Sequence, residues 1–95
     1  MEVRLYIHIG GEYTLSDKWI IGIFDIDQTT TYGSDTMEFL SIHEKLGKLD
    51  IVSPELPRSI VVALDRVYLS PINVKTLISR YNKHMFLMDN VNDSQ

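Results

Sequence analysis

The sequence predicts a small α+β domain, with a largely antiparallel sheet of about five strands and two helices. Three observations predict this class. Short apolar stretches alternate with polar residues at a period of two, glycine and proline turn signals separate them, and two later segments follow the helical period. The length of 95 residues allows one thin core. We therefore expect a single domain at residues 1–88 and a polar, disordered tail at 89–95.

The first two strands are predicted to form a hairpin. Aliphatic residues alternate with polar ones from Val3 to Ile9, which is typical of a half-buried strand. Gly10 and Gly11 follow directly, and a glycine pair adopts the positive φ angles of a two-residue turn. The segment from Glu12 to Leu15 is therefore expected to fold back as the partner strand.

The third strand is predicted at Trp19 to Ile26, where apolar residues occupy both alternating positions. Such a pattern indicates a strand covered on two sides. Two alternatives provide that cover: the helices of the same chain, or neighbouring copies of the chain. The second alternative predicts a homo-oligomer with an interface at Trp19, Ile21, Ile23 and Phe24.

The middle of the chain is predicted to be a loop, a helix and a break. The polar segment from Asp27 to Gly33 is typical of a loop. A helix then opens at Ser34 or Asp35, because Asp35 and Glu38 have the spacing of a capping box, and Gly47 ends it. Its apolar stripe contains Met37, Phe39, Leu40, Ile42, His43 and Leu46. Two prolines within residues 53–57 exclude a sheet strand there.

The last third of the chain is predicted to be a second hairpin followed by a helix. Ser59 to Leu64 is rich in β-branched residues, Asp65 and Arg66 form a turn, and Val67 to Leu69 continues as a strand. Asn73 is a suitable N-cap for the final helix. The helix face consists of Val74, Leu77, Ile78, Tyr81 and Met85.

Composition narrows the functional classes. The chain has no cysteine, so disulfides, thiolate metal sites and cysteine nucleophiles are excluded. The amino terminus lacks a secretion signal, and the longest apolar run falls short of the roughly 20 residues of a membrane span. We expect a cytoplasmic protein without a membrane partner.

Signals for catalysis are weak. The sequence has no glycine-rich nucleotide loop and no nucleophile elbow, and His8, His43 and His84 lack the spacing of a local metal site. Asp25 and Asp27 are two residues apart, as paired acids are in some hydrolases, but a solvated strand end before a polar loop is the stronger explanation. We therefore expect no enzyme activity, no metal and no cofactor.

Charge is distributed unevenly along the chain. Residues 1–57 carry four basic and ten acidic residues, a net charge of −6, whereas residues 58–95 carry five basic and three acidic residues, a net charge of +2. A basic half is able to neutralise phosphates, and an oligomer repeats each contact on one ligand. This predicts double-stranded DNA as a partner, with Lys75, Arg80 and Lys83 as candidate contacts. An ordinary charged helix surface is the alternative.

Four stretches of the sequence carry a resemblance to a known family. They begin at Tyr6, Ile21, Pro57 and Tyr68, and they read YIHIG, IGIFD, PRSIVV and YLSP, the last followed by Thr76-Leu77 in the next helix. In this order and spacing, they resemble the RemB (YaaB-like) proteins, which are related to the RemA extracellular-matrix regulators of Gram-positive bacteria. The resemblance extends from Tyr6 to Phe86.

The resemblance implies a cytoplasmic bacterial regulator of biofilm-matrix genes that assembles as a homo-oligomeric ring and, in the RemA branch, binds DNA. An arginine-rich loop before the Ile-Val-Val strand grips DNA in that branch. The loop here carries one arginine and an added glutamate, so Arg58 is the only loop residue that the resemblance assigns to DNA binding. The DNA-binding branch also uses a basic residue near the start of the third strand, and Lys18 is the match for it. The alternative is an oligomeric assembly protein that does not bind DNA and works with a RemA-like partner.

Overall fold

The computed structural model describes residues 6–26 and 34–82. These residues form six strands, two helices and one short 3-10 turn. In chain order the elements are β1 (Tyr6–Gly10), β2 (Tyr13–Ser16), the 3-10 turn (Asp17–Trp19), β3 (Ile20–Asp25), α1 (Ser34–Lys45), β4 (Leu49–Ile51), β5 (Ser59–Ala63), β6 (Val67–Ser70) and α2 (residues 74–82). The α+β class is confirmed, with one more strand than the sequence predicted.

The strands form two sheets. The β1–β2 hairpin is one, and the other has four strands in the order β3-β5-β6-β4. The β3–β5 and β5–β6 pairs are antiparallel, whereas β4 runs parallel to β6. Because β5 and β6 occupy the middle, β3 and β4 are the two edges of this sheet.

The β1–β2 hairpin confirms the predicted alternation. Ile7 and Ile9 are buried, and His8 between them is exposed. The turn lies one residue later than predicted, because Gly10 pairs with Tyr13 after an irregularity in the register. Gly11 has φ +53°, and a Cβ atom there would lie 2.6 Å from the carbonyl oxygen of Val52, so no other residue fits without a shift of the backbone.

Helix α1 begins at Ser34, within the predicted start, and it stops at the predicted glycine. Gly47 adopts φ +70°, and the Lys48 amide donates to the carbonyl of His43 at 2.8 Å. This is the hydrogen bond of a Schellman motif. The segment predicted as a loop at residues 27–33 lies outside the described residues.

Strand β4 is absent from the sequence prediction. Its three residues follow the end of α1 directly, and Asp50 at its centre accepts two hydrogen bonds from the Arg66 guanidinium, at 3.0 and 3.1 Å. Arg66 also donates to the carbonyl of Gly47 at 3.0 Å. The bond with Asp50 raises the pKa of Arg66 above its ordinary value. One arginine therefore holds the end of α1 and the outer strand together.

Helix α2 starts as predicted, since the Asn73 side chain accepts a hydrogen bond from the Thr76 amide at 2.8 Å. Leu77 on its inner face is fully buried. The main core lies between the hairpin, α2 and one face of the four-stranded sheet, and its buried members are Ile7, Ile9, Val52, Val61, Ala63, Tyr68 and Leu77. Met85 and the tail at 89–95 lie outside the described residues.

Candidate functional site

The edge strand β3 presents apolar side chains that the described residues do not cover. Ile21 is 65% exposed, and Trp19 and Phe24 are about half exposed. Ile23, in contrast, packs against the core and is half-buried. We call Trp19, Ile21 and Phe24 the β3 surface. Three of the four residues predicted for an oligomer interface therefore lie on the surface, and the fourth faces inward.

The ring of Phe24 lies over Gly22. A Cβ atom on Gly22 would lie 2.9 Å from Cε2 of that ring, so the glycine makes room for it. The ring also borders an open groove of about 320 Å³ that lies between β3, β5 and α1, with Asp35, Thr36, Phe39, Ile60 and Val62 as the other lining residues. Asp35 is the one charged residue among them.

A second apolar groove, of about 270 Å³, borders the same strand. Residues of β3 form one wall and residues of α2 the other: Ile20, Ile21, Gly22, Ile23, Ile78 and Tyr81. We call this the β3–α2 groove. None of the described residues that line it is charged, and Ile21 and Ile78 are exposed. Exposed apolar surface of this extent on a small chain marks an interaction site.

Helix α1 also leaves apolar side chains uncovered. Phe39, Ile42 and Leu46 are all exposed, and their spacing of three and four residues places them on one face of the helix. We call them the α1 ridge. The sequence analysis used them to widen an apolar stripe that includes Leu40 and His43, and the structure divides this stripe, because Leu40 and His43 are half-buried whereas the three ridge residues are exposed. The His43 ring packs on Phe39 with centroids 4.3 Å apart.

Arg58 is exposed at the end of the proline-containing loop, immediately before β5. Its amide donates to the carbonyl of Ser70 at 2.7 Å, and its carbonyl accepts from the Ile26 amide at 3.2 Å. The backbone is therefore fixed, while the structure gives the guanidinium no hydrogen bond or ion pair within residues 6–26 and 34–82. Leu56, two residues earlier, is 82% exposed.

Lys18 is exposed in the 3-10 turn at the opposite end of β3. Trp19, next to it, pairs with Leu64 after β5, whereas Arg58 lies before β5. At roughly 3.3 Å per residue, the length of β3 separates the two cations by about 20 Å. The structure therefore does not bring Lys18 and Arg58 together within one copy.

The basic residues of α2 lie elsewhere. Lys75 is exposed near the start of the helix, and the Arg80 guanidinium donates to the carbonyl of His8 at 2.7 Å. Lys83 lies outside the described residues. The remaining cation of this half, Arg66, is held by Asp50. Sequence position alone did not show that Arg66 and Arg80 have partners within the chain.

The acidic and histidine residues form no recognisable catalytic centre within the described ranges. No group of three metal-ligating side chains occurs there. Asp25 lies at the end of β3, opposite Ser59, and Asp27 is outside the described residues. The exposed His8 ring contacts the carbonyl of Gly11 at 2.9 Å. No described helix is long and apolar enough to cross a membrane.

One curated relative aligns with nearly the whole chain. The chain is 33% identical over 85 residues to a Bacillus subtilis (strain 168) protein named extracellular matrix regulatory protein B, and the alignment covers 90% of this chain and 99% of that protein. The chain belongs to the extracellular matrix regulatory protein B family. This confirms the resemblance to the RemB proteins. No protein-family model matches the sequence.

The name of the Bacillus subtilis relative associates that protein with regulation of the extracellular matrix. The name of the relative describes a regulatory protein. The sequence correctly indicated the family, but it did not separate the exposed residues of β3 from the half-buried Ile23, and it missed the α1 ridge. The sequence signal that could have indicated the exposure of α1 is its charge, because the helix contains three acidic residues, Asp35, Glu38 and Glu44, and one lysine, Lys45.

Proposed function

We propose that this chain is a cytoplasmic, DNA-binding regulator of extracellular-matrix genes that works as a homo-oligomeric ring. The observation that carries the proposal is the uncovered β3 surface. Fully burying a side chain the size of Ile21 or Phe24 contributes roughly 1.5–3 kcal/mol, so self-association has a large apolar driving force. Assembly then repeats each DNA contact around the ring.

The proposed DNA contacts are Arg58 and Lys18, with Lys75, Arg80 and Lys83 as secondary contacts. The exposed Arg58 guanidinium sits on a fixed backbone, which lowers the entropic cost of binding a phosphate. Because Arg58 and Lys18 are at opposite ends of β3, one copy supplies two separated contacts. Several copies are needed to reach the number of phosphates that gives useful affinity.

Fluorescence anisotropy with a labelled DNA duplex tests this function. We expect binding that weakens steeply with salt, with a log-log slope that reflects the number of phosphates neutralised in the whole assembly. Arg58→Ala removes one contact per copy and is expected to lower the slope by about one for each copy that touches DNA. The control is Glu12→Gln, which changes the charge of an exposed residue outside the proposed DNA contacts. An absence of binding at low salt contradicts DNA binding.

A second function is favoured by one observation, the exposed Leu56 in an acidic, proline-containing loop. Ser53 accepts a hydrogen bond from the Glu55 amide at 3.2 Å, so the loop has a defined shape. A loop with an uncovered leucine beside a glutamate suits a protein partner better than the negatively charged backbone of DNA. The alternative proposal is an oligomeric assembly protein that binds a RemA-like protein. Titration calorimetry with purified RemA-type protein tests it, and Leu56→Ser is expected to abolish the heat of binding.

A further inference from the structure

We infer that the α1 ridge of one copy docks into the β3–α2 groove of a second copy. The inference rests on the self-association proposed above, and it adds which two surfaces meet. Both surfaces are apolar, both belong to the described residues, and the chain does not place its own ridge in its own groove, since Phe39, Ile42 and Leu46 are all exposed.

The dimensions of the two surfaces agree. From Phe39 to Leu46 the helix rises about 10 Å, at 1.5 Å per residue. From Ile20 to Ile23 the strand extends about 10 Å, at roughly 3.3 Å per residue. The groove therefore runs along β3 for the length of the ridge. In two-layer domains, a helix buries an apolar stripe of this kind against the face of a sheet.

Charge complementarity selects α1 as the occupant. Helix α1 contains three acidic residues and one lysine, whereas the described residues 74–82 of α2 contain Lys75 and Arg80 and no acidic residue. Glu38 precedes the ridge residue Ile42 by one turn, and Lys75 precedes the groove residue Ile78 by one turn. Docking α1 beside α2 therefore brings opposite charges together at the rim of an apolar contact, which favours this pairing over α1 with α1.

The contact joins two different patches, so it is heterologous. Each copy then offers its ridge to one neighbour and its groove to another, and contacts of this kind form a ring when the rotation between neighbours closes. In such an assembly, Lys75 and Arg80 face the acidic helix of the neighbour and do not serve as secondary DNA contacts. Arg58 and Lys18 remain outside this contact.

The absence of cysteine from the native chain makes a crosslinking test direct. Ile42→Cys and Ile21→Cys are placed on separate copies that carry tags of different length, mixed, and treated with a short bismaleimide. Both positions are exposed, so the variants are expected to fold, which circular dichroism checks. We expect a mixed dimer band from the two variants together and a band at least ten times weaker from either variant alone. Leu56→Cys in place of Ile21→Cys is the matched control for an exposed residue outside the groove.

A charge exchange provides the second measurement. Glu38→Lys and Lys75→Glu are each expected to raise the dissociation constant of the assembly about tenfold or more, and the two together are expected to restore most of it. Light scattering measures the mass in each case. No restoration, a self-linked Ile42→Cys dimer, or a mixed band no stronger than the control would overturn the docking of α1 on β3 and α2.

These results are distinct from a failure of the proposed function. A native chain that stays monomeric across the micromolar range contradicts the self-association itself. A native chain that assembles without the Ile42 to Ile21 link contradicts the docking mode alone. DNA binding is measured separately by anisotropy and decides neither question.

Discussion

Strands β3 and β5 are neighbours with nearly the same apolar character and opposite environments. In β5, which lies between two strands, Ser59, Ile60, Val61 and Ala63 are buried. In β3, which lies at the edge, no residue is fully buried. The side chains of the two strands are equally suited to a core. The difference teaches that an apolar strand indicates a need for cover, whereas its position in the sheet decides whether the same chain provides it.

The largest expected effect comes from a charge in β5. Val61 is 0% exposed, so Val61→Asp buries a carboxylate with no partner, and we expect the domain to be unfolded at room temperature. The matched change in β3, Phe24→Asp, is expected to leave the domain folded and to lower the mass of its assembly in solution. Circular dichroism and light scattering measure both. An unfolded Phe24→Asp variant would show that β3 belongs to the core after all.

The next effect concerns assembly without loss of the fold. Ile21→Lys places a solvated charge on the β3 surface, as edge strands that avoid pairing commonly carry. We expect the dissociation constant of the oligomer to rise at least tenfold, with a melting temperature of the monomer within a few degrees of the native value. Leu56→Lys is the control at an exposed position outside β3. Equal masses for all three proteins would remove β3 from the interface.

A smaller effect tests the polar end of β5. The buried Ser59 hydroxyl donates to the carbonyl of Ile72 at 2.8 Å, which links β5 to the start of α2. Ser59→Ala leaves that carbonyl without its partner, and we expect a loss of about 1–2 kcal/mol in the free energy of unfolding. Asp25→Ala, on the paired residue of the edge strand, is the comparison. Urea unfolding of both variants gives the two values, and a larger loss at Asp25 would reverse the proposed ranking of the strands.

The smallest effect is a dependence on alkaline pH. Burial raises the pKa of Tyr68 above its ordinary value of 10.0. The folded state therefore holds this proton more tightly than the unfolded state, so the resulting stability is complete below about pH 10 and is lost as the pH rises through the folded pKa. Tyr68→Phe keeps the ring and is expected to flatten this decline in melting temperature. An unchanged decline would assign it to other groups.

Local features of the fold were predictable from the sequence. The first hairpin follows from alternation and a glycine pair, and the end of α1 follows from Gly47, since these signals act within a few residues. Asn73 likewise caps α2 as its residue type indicates. In each case the hydrogen bonds that fix the element join residues close in sequence.

Long-range features were not predictable in the same way. The three residues of β4 are too few to give a periodic pattern, and their pairing with β6 depends on the path of the chain around α1. The ion pair of Asp50 and Arg66 spans sixteen residues, and it fixes the position of β4 without leaving a local signal. One parallel pair in the sheet is the result.

The candidate site was predictable only as a segment. The apolar pattern identified β3 as the candidate interface strand, but it did not distinguish Ile21 from Ile23, because residues two apart lie on the same face of a regular strand. The bulge between Ile20 and Gly22 adds a residue and changes which positions face the core. Charge totals pointed to the second half of the chain, while hydrogen bonds to His8 and Asp50 occupy two of its arginines.

The two margins of the four-stranded sheet differ, and this has a consequence for solubility. The edge strand β3 is six residues long and contains no lysine, arginine or proline. The edge strand β4 has three residues, and the carboxylate of its central residue Asp50 forms an ion pair with Arg66. A sheet with two unprotected edge strands is able to pair with further chains on both sides and to extend into fibrils. Within the described residues, only one edge of the sheet is long enough for extended strand pairing, which limits the growth of the proposed self-association into amyloid-like fibrils.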